Sequence, residues 1–132
     1  MAPGDAADPD VVEIQVPALS AYVPTVRLTA ASLGAMCELS VDDLDDLRLL
    51  VDEACSLVLP LAVAGSRLSI RFELTHWCLA VETTVAAGDT AVIDRSGYTW
   101  TVLQALASSL QASAADATVS VLLSKRRTDP LD

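Results

Sequence analysis

The sequence predicts an α/β fold, a two-layer sandwich in which a mixed, mostly antiparallel sheet is covered on one face by about three helices. Three observations predict it. Segments of alternating polarity occur near both ends and in the middle of the chain, and two of them are only about two residues apart, the spacing of a hairpin. Three longer segments repeat their apolar residues at three- and four-residue steps, the period of a helix. The resulting order, β-α-α-β-β-α-β, puts hairpin-linked and helix-linked strands in one sheet.

The first element is "VVEIQV" (11–16), an alternating strand that Pro17 ends. Before it, residues 1–10 hold two Pro, one Gly and three Asp and read as a flexible arm. From Leu19 to about Glu38 the pattern is helical, with Val23, Val26, Ala30, Leu33 and Cys37 in one stripe. Pro24 fits such a helix only near its first turn, where a missing N–H costs nothing.

The next helix opens on a capping signal. Ser40 is read as the N-cap, and Asp42 and Asp43 favour the positive end of the helix dipole. Asp42, Asp43, Asp45 and Asp46 are all expected to be solvated. Leu44, Leu47, Val51, Ala54, Val58 and Leu61 form one stripe, Pro60 should loosen the last turns, and Gly65 stops the element.

"RLSIRFEL" (67–74) and "WCLAVETTV" (77–85) make the hairpin, followed by a loop at 86–97. "YTWTVLQALASSLQAS" (98–113) is read as the third helix, with Trp100, Leu103, Leu106, Ala107 and Leu110 on one face. "ATVSVLLSK" (117–125) is the closing strand. The expected organisation is one domain over 11–127 between the arm and a tail at 128–132.

Composition narrows the function classes. Of 132 residues, 52% are hydrophobic and 20% charged, the opposite of a disordered chain. No stretch offers the roughly 20 consecutive apolar residues of a membrane span, and the N-terminus shows no secretory signal. A soluble, cytoplasmic protein is expected. Eight basic residues against 18 acidic ones give a net charge of −10, which opposes direct nucleic-acid binding and suits a partner with a basic surface, or simply solubility. Cys37, Cys55 and Cys78 sit among apolar residues and read as buried thiols; His76 has no second ligand at metal spacing.

Within the second helix, "DLRLLVDEAC" (46–55) resembles the N-box helix of the GHKL (histidine-kinase-like, Bergerat-fold) ATPase superfamily. More narrowly, it is similar to the bacterial anti-sigma regulatory factors that double as serine-protein kinases, in their actinobacterial form. The likeness extends to "VPTVRLTAASL" (23–33), the hairpin, "GYTWTVLQALASSLQ" (97–111) and the closing strand.

The resemblance implies a role for particular residues. Glu53, followed by Ala54, stands at the family's general-base position. Four residues on, where the family has an Asn that ligates Mg²⁺, this chain has Leu57, which offers no oxygen. Asp94 stands near the adenine-binding Asp, but Gly97 follows it at a spacing of three rather than two. The glycine pair that cradles phosphate is reduced to Gly97, with Thr99 at the second position between Tyr98 and Trp100. Arg27 aligns with an arginine that packs on the sigma factor, and Tyr22 is its expected co-contact. Trp100 is a packing residue or a plug for the vacated pocket.

Read without the resemblance, Glu53 is a solvated acid open to pairing with Arg48, Asp94 a turn residue and Arg27 an exposed side chain with an apolar stem. Together the motifs imply an anti-sigma factor that sequesters a stress- or sporulation-type sigma factor and is released by an anti-anti-sigma (STAS-type) partner. It is expected to form a homodimer, to have no resident cofactor, and to retain little or no kinase activity, because the loss of metal ligand and phosphate loop leaves transferring charge uncompensated. The alternatives are an active ATP- and Mg²⁺-dependent serine-protein kinase acting on an anti-anti-sigma factor, or a diverged ligand-sensing domain.

Overall fold

A computed structural model describes residues 8–128. Five strands form one sheet, β1 (Asp10–Pro17), β2 (Arg67–Thr75), β3 (Cys78–Ala86), β4 (Ser109–Ala115) and β5 (Thr118–Arg126). Their spatial order is β1-β2-β3-β5-β4. Three helices, α1 (Val23–Met36), α2 (Val41–Val58) and α3 (Tyr98–Leu106), complete the two layers. The expected flexible arm and tail lie for the most part outside the described residues.

Two expectations are corrected. The sheet is not mixed, since all four strand pairings are antiparallel. The third helix stops at Leu106 instead of running to residue 113, and the chain turns back as β4. Leu110, Ala112 and Ala114 then face Leu123, Val121 and Val119 across β5 with a period of two. Asp116 and Ala117, both at positive φ (56° and 58°), close this second hairpin. That extra strand reverses the chain direction and removes the need for a parallel pairing.

The alternating strands divide the sheet cleanly. Leu68, Ile70, Phe72 and Leu74 of β2 are buried against the helices, as are Leu79, Val81, Thr83 and Val85 of β3. The other face carries small and polar side chains such as Ser69, Thr84 and Ser120. Between α1 and α2 the backbones approach closely at Gly34, where a Cβ would meet Leu44 Cδ2 at 2.8 Å and Leu47 Cδ2 at 2.9 Å. Pro24 sits in the first turn of α1, and α2 gives way to a single 3₁₀ turn, Leu59–Leu61, at Pro60.

The N-terminus of α2 is anchored rather than solvated. Ser40 caps it reciprocally: its hydroxyl accepts from the Asp43 N–H, and Asp43 accepts from the Ser40 N–H. Asp43 is only 1% exposed, and its carboxylate also accepts from the hydroxyl and N–H of Thr128, at 2.6 and 3.2 Å. One turn on, Asp46 accepts from Lys125 Nζ at 3.1 Å, and this buried ammonium also donates to the Leu106 carbonyl. These bonds tie the end of β5 to α2. Burial alone would raise the Asp43 pKa, but the bonds from Thr128 and Ser40 outweigh it and hold the carboxyl below the usual carboxylate range.

Asp43→Asn or Thr128→Val should therefore cost about 1–3 kcal/mol in urea unfolding at neutral pH. Because the folded pKa of Asp43 lies below the unfolded value of about 3.9, its contribution is complete above that value and drains as pH falls through the folded pKa. The gap between the native chain and Asp43→Asn should start to close as pH falls below about 4 and should vanish below the folded pKa. A gap that does not narrow as pH falls through this window would refute the assignment.

Candidate functional site

Glu53 lies in the middle of α2, half-buried and followed by the buried Ala54 and Cys55. The first turn of α3 faces it. Gly97 is the N-cap of α3 in extended conformation, with no side chain capping the helix. Two residues on, the Thr99 hydroxyl donates to Glu53 Oε1 at 3.0 Å. The position read from sequence as a lost glycine thus has a definite occupation: its side chain engages the carboxylate at the general-base position.

Leu57, one turn after Glu53, is 8% exposed and forms part of the wall of a cleft of about 300 Å³ between the end of α2 and the start of α3. Pro60, Leu61, Val92 and Tyr98 line the same cleft, and its polar groups are Ser56, Asp94, Gly97 and Thr99. Val92 and Tyr98 are each 74% exposed. No lysine or arginine lines it. The cleft is therefore a mixed surface, its apolar residues set beside one carboxylate, with no lysine or arginine to match an anionic ligand.

Asp94 is a turn residue with its Oδ1 engaged locally. It accepts from the Ser96 N–H at 2.9 Å and the Ser96 hydroxyl at 2.7 Å. Those bonds hold its carboxyl below the usual range. Arg95 points away from the cleft: it donates to the Ala112 carbonyl at 2.8 Å and lies over the Trp100 ring, 5.3 Å from its centroid. Trp100 packs against the core and does not line the cleft, so Tyr98 rather than Trp100 supplies its aromatic wall.

Arg27 and Tyr22 lie elsewhere on the same end of the molecule. Arg27 Nε donates to Asp52 Oδ1 at 2.8 Å, joining α1 to α2. The pair sits in an open groove of about 570 Å³ whose apolar residues include Leu19, Val23 and Leu59. Tyr22 is exposed at the end of a short 3₁₀ turn just before α1, outside the groove lining. Sequence reading missed Asp52 as the partner of Arg27; the only signal was an acidic residue on the α2 face that meets α1. Arg48 pairs with Asp45 at 2.8 Å and not with Glu53.

Two of the thiols are buried as expected, and burial pushes Cys55 up to about 12 and Cys37 up to about 11. Cys78 is half-buried on the sheet. The described residues hold no group of three or more His, Cys, Asp or Glu that could bind a metal ion, and none of their helices is long and apolar enough to cross a membrane.

Known proteins resemble this chain in sequence and in fold. The chain is 34% identical over 67 residues to the serine-protein kinase RsbW of Halalkalibacterium halodurans, covering 50% of this chain and 41% of that protein. It is 29% identical over 100 residues to the anti-sigma-F factor RsbW of Mycobacterium tuberculosis, covering 76% and 60%. The chain thus spans about half the length of the curated relatives it matches. A crystal structure of the RsbU and RsbW domains of a Mycobacterium tuberculosis protein shares the fold, with a TM-score of 0.69 at 15% identity over 92% of this chain and 33% of that one. No family model matches. The relatives that this chain is similar to thus carry the names serine-protein kinase RsbW and anti-sigma-F factor RsbW.

If the Thr99 hydroxyl is the partner that holds Glu53, Thr99→Val and Glu53→Met should each cost about 0.5–1.5 kcal/mol. The double variant should cost measurably less than their sum in a chemical-denaturation cycle. Strict additivity would show that the two side chains act independently.

Proposed function

We propose that this chain is a cytoplasmic anti-sigma factor that works by holding a sigma factor, without ATP or Mg²⁺. One observation carries the reading against catalysis: the carboxylate at the base position already accepts a hydrogen bond from Thr99, and Leu57 stands where an oxygen ligand would be needed. A general base must reach the hydroxyl it deprotonates. Here one of its two oxygens is already engaged by a side chain of the same protein. Phosphoryl transfer also depends on cations and backbone amides arranged around the phosphates, and the cleft is lined by neither lysine nor arginine.

The RsbW relatives support the sigma-factor side of the proposal through the name of one of them, an anti-sigma-F factor. The net charge of −10 suits a partner that is basic because it binds DNA. Release would come from an anti-anti-sigma protein of the STAS type competing for the same end of the molecule. Self-association into a homodimer fits β4, an edge strand "SLQASAA" with no charge and no proline to discourage pairing. Pairing there would avoid the mutual repulsion of two acidic chains.

Affinity purification of the tagged chain from native extract should recover a sigma factor and an anti-anti-sigma protein. Millimolar Mg-ATP should leave the melting temperature unchanged. A ligand present at about 100 times its Kd would stabilise by about 2.7 kcal/mol, a shift of several degrees for a domain of this size. Such a shift, with phosphate transfer to the anti-anti-sigma partner abolished in Glu53→Ala, would establish the kinase instead.

A further inference from the structure

The cleft beside α3 and the groove beside α1 meet. Ser56 and Pro60 line both, Ser56 exposed on α2 and Pro60 in the 3₁₀ turn that follows it. The two hollows lie on either side of these exposed residues, and we treat them together as one trench at the C-terminal end of α2. Leu19 and Leu59 wall one half, Leu61, Val92 and Tyr98 the other. Leu19 is 59% exposed, and Val92 and Tyr98 are more exposed still. A concave apolar surface of this kind marks a binding site more often than isolated exposed leucines do.

The charges on the trench select its occupant. Asp94 stands at the rim of one half and Asp52 in the other. The one cation among the lining residues, Arg27, is already engaged with Asp52. The net charge of −10 and the carboxylate of Asp94 together suit a cationic group on a partner. We infer that the trench receives an apolar segment of a protein partner that carries a basic side chain, the apolar residues resting on Tyr98, Leu61 and Leu59 and the cation directed at Asp94. On the proposed function above, on which this inference rests, that segment belongs to the sigma factor.

Two measurements test this. In the first, the sigma factor recovered by co-purification is titrated against single variants of the full chain. Ser56→Trp, which fills the junction of the two halves from an exposed position, should weaken binding about tenfold or more, and Asp94→Lys should weaken it through charge reversal. Gln104→Lys, on the exposed side of α3 away from the trench, should change binding by less than about twofold, and all three variants should melt with the unsubstituted chain. In the second, amide shifts are followed by NMR while naphthylmethylammonium or naphthalenesulfonate is added. The ammonium should perturb Ser56, Tyr98 and Leu19 more strongly than the sulfonate, and Ser56→Trp should abolish the effect.

Full-strength sigma-factor binding by Ser56→Trp would overturn the inference, as would a sulfonate that binds as well as the ammonium or shifts confined to other surfaces. Failure of the unsubstituted chain to recover any sigma factor would instead sink the proposed function, and the naphthyl titration would still decide whether the trench takes apolar cations.

Discussion

The hydrogen bond from Thr99 to Glu53 fixes what this end of the molecule can do. Glu53 sits on a helix whose neighbouring positions are buried, and a carboxylate there is costly unless its oxygens are satisfied. Thr99 satisfies one from the opposite helix at 3.0 Å. The bond therefore serves two ends at once: it joins α2 to α3, and it draws the first turn of α3 toward the helix that in a catalytic relative would need to stay accessible. A glycine at residue 99 could do neither, since it has no hydroxyl and would leave the backbone open. The opening between the helices is then finished by Leu57, Leu61 and Tyr98, side chains that gain from contact with apolar groups and offer nothing to a metal ion.

A similar logic operates at the other end of α2. The aspartates there look alike in sequence, and each is favourable near a helix N-terminus. Their surroundings separate them. Asp43 is drawn into a bond network with Ser40 and Thr128, Asp46 meets the buried Lys125, and Asp45 pairs with Arg48 at the surface. The surface pair adds little to stability, whereas the buried ammonium of Lys125 needs both Asp46 and the Leu106 carbonyl to be tolerated at all. Thus α2 is held to β5 at its start, to α1 by Arg27–Asp52, and to α3 by Glu53–Thr99.

What could be read from the sequence follows from how local each signal is. The caps, the first hairpin and the placement of Pro24 and Pro60 are decided within a few residues, and they stand where the sequence puts them. The β4 strand was illegible for a local reason too. Leu103, Leu106, Ala107 and Leu110 keep helical spacing across the real boundary, and the turn that follows is built on Asp116 and Ala117 rather than the Asn-Gly or Asp-Gly expected at positive φ. Among the site residues, Glu53, Leu57, Gly97 and Thr99 could be singled out by resemblance. Their contacts could not, because Thr99 and Glu53 are 46 residues apart and Arg27 and Asp52 are 25 apart. Nor does a row of aspartates reveal that only one faces Thr128.

The substitutions at the nucleotide-like end also constrain one another. An asparagine at residue 57 alone would place a polar amide in a wall made of Pro60, Leu61, Val92 and Tyr98, where its hydrogen-bonding groups would lack partners unless water or a cation entered. A glycine at residue 99 alone would open the phosphate side yet leave half-buried Glu53 without its donor. Each of these two substitutions should thus cost stability on its own, and the two costs arise from different contacts. The exposed apolar side chains of Leu19, Val92 and Tyr98 are not tied into this arrangement, and they are the area that a protein partner would bury.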